Sequence, residues 1–188
     1  MADCCVKGFR WDATPKCRND KVAGIDCSVL ADYYAEEVGA TVLIPDFFGG
    51  EILAADIILN DMRCAELDLP TFLARNSKAV RGPEIIKTAE VLKASYRRFG
   101  VFGFCIGGWG AFHIGAKDKQ LADCISVAHP TMVEKTEIDG LAVPVQIIAP
   151  EMDPMFTEEL KEYTRRRGME RAKNAAVYWF REWLLENE

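Results

Sequence analysis

Gly103-Phe104-Cys105-Ile106-Gly107-Gly108-Trp109 lies between two different kinds of sequence. The apolar run Phe99-Gly100-Val101-Phe102 enters it, and Ala111-Phe112-His113-Ile114-Gly115-Ala116 leaves it with helical character. The pattern predicts a strand, a tight turn bearing one reactive side chain, and a helix. Glycine two positions before and two positions after Cys105 lets the backbone bend sharply without a Cβ clash. A cysteine at the head of a helix is favoured as thiolate, because the amide dipoles there stabilise negative charge. Those features point to nucleophilic acyl chemistry. A second reading stays open: a helix packed tightly on a sheet, with the cysteine acting as a small hydrophobe. The glycine spacing fits neither the dinucleotide fingerprint nor a phosphate-binding P-loop.

Across the whole chain, 188 residues suffice for one domain with a sizeable core, so a single domain over 1–188 is expected, with 1–27 as an irregular N-terminal segment. Apolar residues make up 49% and charged residues 28%, the balance of an ordinary globular protein. A net charge of −6 argues against nucleic acid or an anionic membrane as partner. Met1 to Lys7 lack the apolar core of a signal peptide and no apolar run is of membrane-spanning length, so a cytoplasmic setting is expected. Seven cysteines, with no C-x-x-C pair, favour free thiols over a disulfide framework. Their spacing does not suit zinc, so no metal is expected.

Strand-like and helix-like segments alternate along the chain. Ser28–Val38 reads as a helix ended by Gly39, and Ala40–Ile44 as a buried strand stopped at Pro45-Asp46. Residues 70–98 read as mainly helical, broken at Gly82-Pro83. Strands follow at Cys124–Ala128 and Val143–Ile148. A final helix from about Met169 to Leu185 carries Trp179, Phe180 and Trp183 on an apolar stripe suited to packing on the sheet. Apolar strands separated by helices predict a mostly parallel sheet covered on both faces.

Several segments together resemble the dienelactone hydrolase family, and its fungal branch in particular. They are Cys4–Trp11, Pro45-Asp46-Phe47-Phe48-Gly49-Gly50-Glu51, the cysteine heptapeptide, Ala128-His129-Pro130, Ala149–Pro154 and Arg171–Phe180. The resemblance implies an α/β-hydrolase-like three-layer α/β/α sandwich. It also implies hydrolysis of small carboxylic esters or lactones by a Cys–Asp–His triad, with no metal or organic cofactor. Motif by motif, Cys105 is then the nucleophile, Asp153 the carboxylate that orients the base, and the Ile106 N–H an oxyanion donor. Asp153-Pro154 also has the form of a turn initiator.

The chain departs from the family pattern at two internal points. No histidine follows Asp153, where the family has its catalytic one, and a strand is missing there. Residues 12–27 lack the apolar run that leads to the second oxyanion donor. His113, about 12 Å down the helix axis from Cys105, reads as a packing residue. His129 follows the next strand, only about 4.8 Å across the sheet, and is the candidate replacement base. The alternative for His129 is a polar strand-end or pocket-lining residue. Weak or absent turnover follows from these losses.

Phe47, Phe48, Trp109 and Phe156 flank the expected catalytic edge, as pocket walls or as core. Glu51 and Arg75 read as solvated surface or as a loop support. Two other functions remain open: a catalytically silent relative that binds a small ligand or a protein partner, and a redox sensor at Cys105 with Cys124 as resolving thiol.

Overall fold

The structure is a computed structural model that describes residues 27–51, 57 and 66–184, with only the helical backbone described for 27–29 and 172–184. The expected irregular segment before residue 27, with its Cys4–Trp11 motif, lies outside the described residues. The chain forms two compact units, residues 1–88 and 89–188.

In the first unit, α1 spans Cys27–Val38 and ends at Gly39, whose φ of 66° turns the chain out of the helix. Ala40–Ile44 does not form the expected strand. The segment takes no regular structure and joins no sheet among the described residues, and Val42, Leu43 and Ile44 are exposed. An apolar run becomes a strand only where a neighbour takes its backbone hydrogen bonds. The turn that follows is held by Asp46, whose carboxylate accepts from the Phe48 N–H at 2.9 Å and the Gly50 N–H at 2.6 Å.

Helix α2, Leu69–Arg75, starts at Asp68, which accepts from the Thr71 N–H at 3.2 Å. Helix α3, Lys78–Ser95, runs straight through Gly82-Pro83, so the helical region breaks at Asn76-Ser77 instead. Proline removes one backbone donor and strains one turn. At Asn76 a different cause operates. Its amide donates to the Phe72 carbonyl at 3.0 Å and accepts from Arg81 Nε at 2.8 Å, which ends one helix and anchors the next. Asn76 is 2% exposed, and every polar atom of its side chain is engaged.

The second unit contains β1 (Gly100–Phe104), β2 (Cys124–Ala128) and β3 (Val145–Ile148), paired in parallel in the order β1-β2-β3. Register runs from Gly100↔Cys124 to Phe104↔Ala128, and from Ile125↔Val145 to Ala128↔Ile148. The parallel sheet and its crossovers confirm the α/β class. β3 begins two residues later than expected, because Pro144 has no N–H for the ladder. Helix α4, Ile106–Ile114, packs on β1 and β2 and buries Trp109, Ala111 and Phe112. Val127 and Ile125 are buried, whereas Phe102, Phe104 and Ile148, which alternate with them across the register, are exposed.

Helix α5, Lys135–Gly140, has no apolar periodicity to announce it, and its start is held by a capping box of Glu134 and Glu137. Helix α6, Glu158–Leu184, begins eleven residues before the expected start. Thr157 Oγ1 accepts from the Leu160 N–H at 3.3 Å, and Glu158 and Glu159 load the first turn with negative charge. Pairs such as Arg165–Glu162 continue the helix through its polar half. The Trp179–Trp183 stripe falls among side chains outside the described set.

Candidate active site

Three consecutive parallel strands deliver Cys105, His129 and Asp153 to the same edge of the sheet. Cys105 directly follows β1, His129 directly follows β2, and Asp153 lies in the loop after β3. In open α/β sheets this carboxyl edge is where ligands bind.

Cys105 has φ 53° and ψ −118°, a conformation that disfavours every residue with a Cβ. Backbone contacts hold it there. Its N–H donates to the Ala128 carbonyl at 3.1 Å, and its carbonyl accepts from Gly108 at 3.0 Å and Thr131 at 2.9 Å. Gly103 is indispensable to the bend, since a Cβ there would collide with the Gly107 carbonyl. Gly107 itself has open space where its Cβ would be, so its contribution is the closeness of its backbone. Gly108 supplies a further close approach, with Pro130 only 2.8 Å from where a methyl group would stand.

The sulfur is half-buried, and Sγ lies 3.3 Å from Thr131 Oγ1. Sequence reasoning does not find Thr131. Its only signal there is a hydroxyl just beyond the strand end that carries His129. The Ile106 N–H heads α4, among the amides that a helix cannot satisfy within itself.

His129 also has a positive φ, 38°, and its N–H donates to the Ile148 carbonyl at 2.9 Å. Its ring lies 6.2 Å from that of Phe104. Burial pushes the imidazole below the ordinary histidine value, while the Asp153 carboxylate pulls it back up. Asp153 therefore acts electrostatically on the imidazole at this edge. One Asp153 oxygen, Oδ1, accepts from the Met155 N–H at 2.8 Å and the Phe156 N–H at 3.1 Å. The carboxylate is thus fixed by its own turn, as the turn-initiator reading of Asp153-Pro154 expects.

The other candidates fall elsewhere. His113 stacks on Trp109 at 5.2 Å, in agreement with a packing role. Trp109 is 3% exposed and donates from Nε1 to Glu137 at 2.7 Å, and Phe156 is 1% exposed, so both are core residues. In the first unit, Phe48 packs on Phe72 at 5.3 Å and Phe47 is half-buried. Glu51 is paired with Arg75 and accepts from Asn76, which makes the pair a support for the 45–51 loop. A cavity of about 590 Å³ in the second unit is lined by Phe112, His113, Lys117, Thr136 and Glu137, away from the cysteine turn.

Cys124 cannot resolve an oxidised Cys105 in this fold. It pairs with Gly100 at the opposite end of the strands, five steps from Cys105 and so about 16 Å away. A disulfide needs Cα atoms within about 7 Å. Among the described residues no group of three or more His, Cys, Asp or Glu is arranged to hold a metal, and no helix is long and apolar enough to cross a membrane.

A strained residue between a parallel strand and the helix behind it, at the carboxyl edge of the sheet, is the elbow of the α/β-hydrolase fold. Residues 22–183 match the dienelactone hydrolase family, and the chain belongs to that family. No curated protein and no solved structure matches the chain.

Proposed function

We propose that the chain hydrolyses small carboxylic esters or lactones, slowly, with Cys105 as nucleophile. Family membership supports hydrolase activity. The observation that carries the finer reading is the strain at Cys105, a cost of about 1–3 kcal/mol of the kind that gathers at functional turns. The thiolate attacks the acyl carbon, and the carbonyl π electrons move to oxygen, which the Ile106 N–H receives. Collapse of that intermediate expels the alcohol and leaves a thioester, which water then cleaves. His129, under the influence of Asp153, is assigned to take the thiol proton and to return it to the departing alkoxide. It then deprotonates the water, with that proton passing to the sulfur as the acid leaves.

Turnover is slow in this reading because no histidine follows Asp153, where the family has its catalytic one. Loss of the base from that position costs up to about 10²–10⁴-fold in rate. The matched span crosses both compact units, which supports one dienelactone-hydrolase-like domain, in a cytoplasmic setting where thiols stay reduced. The chain is further proposed to be a shortened fungal-type member of its family.

The test is intact-mass spectrometry after exposure to p-nitrophenyl acetate. An acetyl adduct is expected on the wild type, with none on Cys105→Ala and slower loss of the adduct on His129→Ala. Absence of an adduct at Cys105 defeats the reading.

A further inference from the structure

We propose that Thr131 activates Cys105, its hydroxyl donating a hydrogen bond that holds the sulfur as a thiolate aimed for attack. The inference rests on Cys105 being the reactive thiol assigned above. Two independent contacts join the residues: Sγ to Oγ1 at 3.3 Å, and the Thr131 N–H to the Cys105 carbonyl at 2.9 Å. The second contact fixes where the threonine stands, so the first is not a chance meeting of two mobile side chains. Pro130, fully buried against Gly108, and Met132, at φ 65°, fix the loop on either side of Thr131.

The chemistry assigns the direction of the bond. A neutral thiol and a hydroxyl can each donate to the other, as the geometry permits. Once the thiol proton has left for solvent or a base, sulfur can only accept and the hydroxyl must donate. Hydrogen bonds to an ionised partner are the stronger kind, so the contact favours the ionised state. Thr131 gives up no proton in this role, and its O–H is intact before and after the reaction.

Alkylation of the full chain by iodoacetamide tests this without recourse to ester turnover. A sulfur–carbon bond forms, iodide leaves, and the thiolate is the reacting species. Trypsin releases fragment 99–117, which holds Cys105 and no other cysteine, so its mass reports this site alone. Thr131→Val is expected to react about tenfold more slowly than wild type near pH 7. The two rates should converge near pH 10, where the thiol is ionised without help. Thr131→Ser should restore the wild-type profile. Thr131→Ala, which adds no bulk, replaces the valine variant if that chain does not fold.

Equal rates near pH 7 overturn the proposal, as does a deficit of the same size at both pH values, which would mark a change of access. A serine variant that behaves like valine also overturns it. If no acetyl adduct forms with the ester but the valine deficit near pH 7 is found, the role of Thr131 stands and the hydrolase reading falls.

Discussion

At Pro45–Gly50 and again at Phe104–Gly108 the chain turns sharply after an apolar run, and glycine lies in both turns. In the first, the positive φ values of 64° and 78° fall on Gly49 and Gly50, and Asp46 satisfies the turn's amides from within. Nothing is strained, and the turn would survive as a local motif. In the second, the positive φ falls on the cysteine while Gly103 and Gly107 serve to bring backbones together. One of its hydrogen bonds, from the Gly108 N–H to the Cys105 carbonyl, is internal, and the other two are made with Ala128 and Thr131 outside the turn. Strain also accumulates nearby: of four non-glycine residues with positive φ among the described residues, Cys105, His129 and Met132 lie at this one edge. Turns alike in sequence thus differ in what holds them, and only one is held against its own preference.

The largest effect is expected from Gly103→Ala. Its methyl would meet the Gly107 backbone, and no side chain can swing away to relieve the contact. A loss of about 3 kcal/mol is expected in urea denaturation. Gly107→Ala, with open space at its Cβ and a helical backbone, should be neutral or stabilising by up to about 1 kcal/mol. Equal losses at both positions would contradict the asymmetry.

At position 105 itself the usual order reverses. Cys105→Gly should be more stable than Cys105→Ala by about 1 kcal/mol, since glycine accepts the positive φ without a Cβ penalty. Alanine ahead of glycine in that pair would show that the turn relaxes once sulfur is gone.

The smallest effect concerns titration. Burial lowers His129 and Asp153 raises it, so Asp153→Asn should move the His129 transition to lower pH. A histidine lowered by folding is bound neutral, so stability is full above its unfolded value of 6.5 and declines as pH falls below it. Asp153→Asn should therefore steepen the loss in acid. With only two histidines in the chain, imidazole proton NMR follows each. An unmoved His129 resonance would separate the carboxylate from the base.

The elbow and its three strands are legible because each combines a short apolar run with a glycine or proline boundary. Apolar periodicity starts α6 too late because Leu160–Gly168 is polar, and such periodicity is blind to a helix held by charge pairs and an N-cap. Thr157-Glu158-Glu159 does carry the signal. Ala40–Ile44 has the composition of a strand, but pairing is a property of neighbours. Pro83 is outweighed by the seventeen other residues of its helix. Cys105 and Asp153 are readable through family motifs. Thr131 is not, since nothing local in Pro130-Thr131-Met132 announces a contact with a sulfur 26 positions earlier.

During synthesis α4 leaves the ribosome before β2 does, so neither the Ala128 carbonyl nor the Thr131 hydroxyl is yet available to the elbow. The contacts that hold the bend at Cys105 thus arrive only with the second strand and the loop that follows it.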